Sequence, residues 1–487
     1  MILSKKLLES IVERARYFPG EETAWKDVFF GILDCFGTEN QEIEEIVSFE
    51  RNKVYPLFVV RSLLGFLSYI HGRNLFGKIV PQKIVGELYF DYLEQLCKIS
   101  AMVLPAFILL SDKDLVYLEP EDVVQLSDTY PVWARQVAEF TVHWEQAAGE
   151  MLRRIAADFR DSHITELYSM GSDQHNYGRR VFCIEMDGCR KWLYKPRSLA
   201  TDLGWKDLCI WFRKESGIDI PYISVSDHGM YGYAEYIHYQ SPAEEDIPLF
   251  FYHAGILLCL VYWTKGSDMH YENIVAHGVW PYPVDLEMIT GDEKQFSVIS
   301  TAMLKYEKKR DGEKTLDFGA FTNTDPQWLS LPRRAEKVIT ASEYREELIR
   351  GFLESYRILI KTKHRKTDFF RYSSPRYLFH STSYYSALLS RLSLDDTLAD
   401  GEKYYRTVKE SLQCSGEDGK VFDSELRAIL RGDIPFFYHK SRSRDLYDID
   451  GIVEQDFFAH IPGHALQRKL SEEDMQVQAD LIREGLP

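Results

Sequence analysis

The sequence predicts an α+β protein, a bilobal core in which a small β-rich lobe precedes a large helical lobe, set behind a helical N-terminal region. Three observations lead there. Apolar residues recur at i, i+3/i+4 from the start of the chain to about residue 160. The texture then turns to short strands around an Asp-Gly pair. Finally, the stretch "GSDMHYENIVAHGVWPYPVDLE" (266–287) sets five ionisable or amide side chains between hydrophobic runs that need none of them for folding.

The elements follow in order. "ESIVERARYF", "WKDVFFGILDCF", "YPLFVVRSLLGFLSYIHG", "YFDYLEQLCKIS" and "WARQVAEFTVHWEQAAGEMLRRIAADF" all carry helical periodicity, so residues 1–160 form a helical scaffold or substrate-docking region. The opening "MILSKKLLESIVERARYF" is an amphipathic helix rather than a signal peptide. From residue 163, "ITELYSM", "GSDQHNYG", "RRVFCIEM", "DGC" and "RKWLYK" give strand, loop, strand, tight turn, strand, with Asp187-Gly188 as the hairpin signal. A helix through "SLATDLGWKDLCIWFRKESG" closes at Gly217, and "YGYAEYIHY" (231–239) is a further strand. These make a small lobe over 161–240, and 241–487 is the large lobe, mainly helical after 290 with a charged loop at 305–315.

Composition narrows the function classes. At 487 residues, 45% hydrophobic and 27% charged, the chain is an ordinary globular protein of two or three domains. Its net charge of −17 argues against nucleic acid and against anionic membrane surfaces, so any phosphate site is a local basic pocket. The seven scattered cysteines contain no CxxC pair, which predicts reduced thiols, no zinc framework and a cytoplasmic location. The run 249–263 is interrupted by His253 and falls short of the roughly 20 residues of a membrane span, so it predicts a buried core helix.

Three strands, a helix, an edge-like strand, a core helix and an acidic loop is the element order of the protein-kinase fold. Phosphoryl transfer from ATP needs few parts, nearly all electrostatic. Lys195 ends the third strand, where it would hold the phosphates. Asp268 and Asn273 stand five apart, the offset between catalytic Asp and metal-binding Asn in a kinase catalytic loop, and Asp285 follows twelve residues later as a second metal carboxylate. Asp268 is the expected base. Asn273 and Asp285 are the expected Mg²⁺ ligands, with Glu287 a further metal candidate and Glu235 and Ile237 the adenine-binding hinge. The carboxylate that pairs with Lys195 stays open among Asp202, Asp207 and Glu215. Taken singly, each of these residues also has a plain structural reading, as helix cap, turn residue or solvated strand-end lysine.

Between the first two strands the expected glycine-rich loop is replaced by "GSDQHNYGRR", where Gly171 and Gly178 bracket Asp173, His175 and Asn176. A loop that only cradles phosphate through backbone N–H groups has little use for an Asp and a His. An acid/base pair over a transferred phosphate suits a second reaction; the alternative is that both side chains satisfy turn backbone.

"GSDQHNYGR…V…YKPRSL" together with "DMHYENIVAHG…P…VDLE" resembles the dehydratase half of class II lanthipeptide synthetases (LanM), over roughly residues 160–390. The resemblance implies a lipid-kinase-like core. It also implies a lanthipeptide-pathway (RiPP, antibiotic biosynthesis) activity in which ATP phosphorylates Ser and Thr of a ribosomal leader–core precursor peptide. Phosphate is then eliminated to give dehydroalanine or dehydrobutyrine. It places the phosphorylation set on Lys195, Asp268, His270, Asn273 and Asp285. The elimination set falls on Asp173, His175, Arg376 and Thr382, with Arg376 gripping phosphate as a leaving group. The family's C-terminal zinc cyclase has no counterpart in this sequence, and His380 stands where an additional Arg is common. The expectation is therefore a stand-alone, truncated LanM-like dehydratase, with a separate cyclase or other tailoring enzyme as a candidate partner. A peptide kinase without elimination and a non-catalytic peptide-binding scaffold are the alternatives.

Overall fold

The computed structural model describes residues 5–19, 21–36, 43, 63–73, 80–111, 118–160, 162–188, 190–289, 296–305, 307–310, 314–362, 369–413, 419–459 and 470–486. The chain divides into two compact units. One comprises Met1–Leu193 and Leu378–Phe436, the other Tyr194–Tyr377 and Phe437–Pro487. This is not the three-part division at 160 and 240 that the sequence suggests. The first cut falls inside a strand, and a C-terminal stretch returns to the N-terminal unit.

The first unit is built on helices, as the periodicity predicts. The longest, Pro131–Asp158, starts on a proline, whose fixed φ suits the first helical turn, and buries Trp133, Val137, Phe140, Trp144 and Met151 along one side. Tyr92 of helix Gln82–Ser100 stacks on Phe140 and meets Trp144 at 4.9 Å between ring centroids. A buried charge pair, Arg180 to Asp91 at 2.5 Å with both side chains 2% exposed, fastens the start of the strand region to that helix. Strands β1 (Ile164–Ser169) and β2 (Phe182–Met186) pair antiparallel. At the turn after β2 both Asp187 and Gly188 take positive φ (53° and 73°), the type I′ geometry that the Asp-Gly pair predicts. β3 (Arg190–Lys195) follows β2 in strand order and carries the chain out of the unit.

In the second unit β3 is followed in strand order by β5 (Gly232–Glu235) and β4 (Val225–Asp227), which pair antiparallel. The expected strand 231–239 ends at Glu235 because the hydrogen bonding changes partner. Gln240 N–H donates to Ala276 O at 2.9 Å, and Gly278 N–H donates to Gln240 O at 2.8 Å. The helix Ala200–Ser216 closes on Gly217 at φ 76°, as read from the sequence.

The helix Ile247–Trp263 is buried on nearly every side and forms the centre of the unit's core. The stretch Glu244–Trp263 is long and apolar enough to cross a membrane by composition, and most of its apolar length is buried inside the protein. His253, the one polar interruption, packs flat on Trp280 at 3.5 Å and bonds Val279 O through Nδ1 at 2.8 Å. Against this helix lies Arg345–Thr362, and the two approach at a pair of glycines. A Cβ on Gly255 would meet Leu348 O at 1.9 Å, and one on Gly351 would meet Tyr252 O at 1.9 Å.

After residue 290 the chain holds more strand than its sequence suggests. The charged segment expected as a loop forms an antiparallel hairpin, β8 (Glu307–Arg310) with β9 (Lys314–Asp317). Four charged residues in succession, EKKR at 307–310, give the sequence no period-2 alternation there. After the short pair β10 (Arg333–Arg334) and β11 (Lys337–Val338), β12 (Arg376–Tyr377), β13 (Phe437–His439), β14 (Leu446–Asp448) and β15 (Gly451–Glu454) make a four-stranded sheet in that order. Strands this short carry no readable alternation.

Candidate active site

The second unit gathers the expected phosphorylation set around one hairpin. β6 (Ile274–His277) and β7 (Trp280–Pro283) pair with Ile274 opposite Pro283, so the residues flanking the open end lie side by side. Val284 N–H donates to Asn273 O at 2.9 Å. The spacing between Asn273 and Asp285 is thus the length of one hairpin folded back on itself.

Before the hairpin, the loop 264–273 is pinned from within. Met269 is fully buried, and its N–H donates to Thr301 O at 2.9 Å. Tyr271 stacks on Trp328 at 4.3 Å and on Phe318 at 5.7 Å. With Met269 and Tyr271 anchored, their sequence neighbours Asp268 and His270 approach each other, Asp268 Oδ1 lying 3.6 Å from His270 Nε2. The Asp268 side chain stays 41% exposed. Asn273 Nδ2 donates to the Asp268 carbonyl at 2.7 Å, which fixes the loop and turns the amide oxygen of Asn273 the other way. Asp268 sits at φ 63°, a left-handed backbone that Asp and Asn tolerate better than most side chains and that concentrates at functional loops.

Beside the hairpin, Lys195 is 4% exposed. Its ammonium donates to Val284 O at 2.7 Å and stands 3.9 Å from Asp285 Oδ1. The sequence reading missed the group at the centre. Arg197 pairs with Asp285 at 2.6 Å, with Asp202 at 3.2 Å and with Glu287 at 3.2 Å. Burial pushes the Asp285 carboxyl up, but Lys195 and Arg197 outweigh it and hold the group down at about 2. Burial has the upper hand at Asp202 and raises its carboxyl despite Arg197 and Lys195. Of the three carboxylates left open as partners of Lys195, Asp202 is the buried one in this cluster, where its direct ion pair is with Arg197; Asp207 is exposed. Arg197 stands two residues beyond Lys195 in "YKPR", and the i, i+2 spacing on an extended chain is the signal that could have found it.

Glu287, expected as a metal candidate, uses both carboxylate oxygens on guanidiniums: Oε2 on Arg197 and Oε1 on Arg376 at 2.7 Å. It anchors arginines. Arg376 is held twice, since its backbone N–H also donates to Glu287 O at 2.7 Å. Among the described residues no group of three His, Cys, Asp or Glu is disposed to hold a metal. The hard oxygens expected for Mg²⁺, Asn273 Oδ1 and the Asp285 carboxylate, flank the open end of the hairpin, and Asp285 keeps its side chain 32% exposed. The hinge candidates are less defined. Glu235 ends β5 with its N–H bonded to Ser224 O at 2.9 Å, and Ile237 lies beyond the strand.

The expected elimination set is divided between the two units. Arg376 lies in the second unit, within the cluster just described, whereas Asp173, His175 and Thr382 belong to the first. There Asp173 is exposed on the loop 171–179, and His175 Nδ1 lies 2.8 Å from Ile434 O. Thr382 opens the helix Thr382–Leu392, which Ser381 caps by accepting from Tyr384 N–H at 3.2 Å. Close by, His380 Nδ1 is 3.1 Å from Glu425 Oε1.

Two comparisons with known proteins agree with the motif reading. The family described as "Domain of unknown function (DUF4135)" matches residues 130–330 and 300–440. The lacticin 481/lactococcin biosynthesis protein LcnDR2 of Lactococcus lactis subsp. lactis is 25% identical over 374 residues, covering 64% of this chain. The chain spans 40% of that relative's length. With more than half of its residues inside the family match, this chain belongs to the DUF4135 family, and its likeness to the LanM-type synthetases is the one its two motif blocks carry.

Proposed function

We propose that the protein is a lanthipeptide-modifying enzyme that dehydrates Ser and Thr of a ribosomal precursor peptide, by phosphorylation followed by phosphate elimination. One observation carries the reading: Lys195, Asp268, Asn273 and Asp285, spread over 91 positions of sequence, meet around a single hairpin of the second unit. The kinase-like bilobal fold is part of the same proposal, supported by the strand order and by a buried lysine ending β3.

ATP and Mg²⁺ would supply the phosphoryl group and the neutralisation of its charge. Lys195 and Arg197 provide fixed positive charge, already oriented by Val284 O and Asp285. Asn273 and Asp285 offer the oxygens for the metal. Asp268 accepts the proton of the Ser or Thr hydroxyl, and His270, 3.6 Å away, shares the site of that proton.

In elimination a base removes the α-proton of the phosphorylated residue. The electron pair of the Cα–H bond becomes the Cα=Cβ bond, and the Cβ–O bond breaks with its pair leaving on phosphate. His175 is the base in this reading and Thr382 of the same unit a donor to the leaving phosphate, with Arg376 the phosphate-binding arginine that the resemblance implies.

Incubation with precursor peptide and MgATP, followed by mass spectrometry, tests the proposal. Loss of one water per site is expected. Gain of one phosphate per site without water loss would leave a peptide kinase, and an unmodified peptide with no ATP consumed would leave a binding scaffold.

A further inference from the structure

Two buried carboxylates of the first unit have no part in phosphoryl transfer. Glu425 is fully buried and Asp433 is 1% exposed. Both belong to one stretch of chain, the helix Lys420–Leu430 and the turn after it.

Asp433 fills a concavity in the loop that carries Asp173 and His175. Asn176, Tyr177 and Gly178 take left-handed backbone in succession (φ 51°, 66° and 76°). The N–H groups of Tyr177 and Gly178 converge on Asp433, at 2.7 Å to Oδ2 and 3.1 Å to Oδ1. Gln174 Nε2 adds a third donor at 3.2 Å. Converging backbone N–H groups of this kind bind anions, and in many phosphate loops the anion is the ligand. Here a protein carboxylate occupies the position. The two N–H groups are spent on the fold, so the loop serves by presenting side chains.

The next residues fix His175. Ile434 N–H donates to Gln174 O at 3.0 Å, and Ile434 O faces His175 Nδ1 at 2.8 Å. A carbonyl only accepts, so Nδ1 carries the hydrogen and Nε2 of the neutral ring carries the basic lone pair. Nine residues before Ile434, Glu425 bonds Tyr385 OH and stands 3.1 Å from His380 Nδ1, two residues before Thr382. A single helix-turn thus grips both segments to which the elimination residues of this unit belong.

We propose that Asp433 and Glu425 are positioning residues of the elimination step, Asp433 by locking the loop so that His175 presents Nε2 as the base, and Glu425 by orienting His380 beside Thr382. The proposal rests on the dehydratase reading, and two measurements keep them separable. The first uses the full chain and variants Asp433→Asn and Glu425→Gln, assayed on precursor peptide with MgATP and on the same peptide carrying phosphoserine. Asn at 433 retains one acceptor oxygen and turns an NH₂ toward backbone N–H groups. Phosphorylation is expected near the wild-type rate in both variants, with elimination slowed about 10- to 100-fold, the scale seen when an orienting partner of a functional histidine is lost.

The second measurement is hydrogen exchange, which needs no activity. Residues 174–179 should exchange faster in Asp433→Asn and be unchanged in Glu425→Gln. Elimination at the wild-type rate in both variants, or unaltered exchange across 174–179 in Asp433→Asn, would overturn the proposal. If the wild-type protein removes phosphate from no peptide, the dehydratase reading fails by itself, and the exchange result still decides whether Asp433 holds the loop.

Discussion

Arg197 and Asp285 form an ion pair at 2.6 Å, and through Arg197 the carboxylates of Asp202 and Glu287 join the same cluster as Lys195. The expected metal ligand is thereby oriented by a guanidinium that reaches three acidic groups at once. Geometry of that kind belongs to Arg, whose planar fork of donors a lysine cannot imitate.

Replacing Arg197 by Ala should leave Asp202, Asp285 and Glu287 short of a counter-charge. Removing one partner of a buried network costs about 3 kcal/mol or more, and Arg197→Lys should recover only part of it. Denaturant unfolding near neutral pH reads the loss directly; a variant within error of wild type would remove Arg197 from its organising role.

Acid should erase that difference. Asp285 is held at about 2, below its ordinary 3.8. A depressed carboxyl contributes stability that is complete above its unfolded value and disappears as pH falls from about 4 to about 2. The stability gap between wild type and Arg197→Ala should therefore narrow across that window. A gap that stays constant would place the destabilisation elsewhere than at Asp285.

Asp268→Asn should lower peptide phosphorylation by about two to four orders of magnitude, since it removes a proton acceptor and keeps the shape. Asn tolerates φ 63° as Asp does, so circular dichroism and the unfolding midpoint should match wild type. Phosphorylation surviving at a near wild-type rate would take the base role away from Asp268.

Gly255→Ala tests the closest helix approach. Its methyl would meet Leu348 O at 1.9 Å, so the helices Ile247–Trp263 and Arg345–Thr362 must move apart, at a cost of about 1–3 kcal/mol. Thermal unfolding is the check, and the matching loss in Gly351→Ala would assign the cost to the crossing itself.

Much of the site was legible because its parts are close in sequence or end predictable elements. Lys195 closes a strand announced by an Asp-Gly turn, and Asp268, Asn273 and Asp285 are separated by one hairpin. Arg197 follows in "YKPR" at a spacing that points to the same site, but the phosphate-binding role it would signal is one that Lys195 already fills. Asp433 and Glu425 had no such signal. Asp433 acts on a loop more than 250 positions earlier, and only the tertiary fold pairs them. Arg376 was assigned to phosphate release by resemblance alone, and its double hold on Glu287 in the second unit could not be read from a six-residue interval to Thr382. The short strands β12 to β15 and the charged hairpin β8–β9 were lost for want of length and of alternation.

The backbone at residue 268 sorts a saturation library before any substrate is added. Clones encoding Gly, Asn or Asp fit the loop cheaply, while β-branched and bulky replacements meet a steric toll unrelated to chemistry. Within the permissive trio only Asp carries a carboxylate, so under the proposed role of Asp268 this codon divides architectural tolerance from reactivity with three sequences.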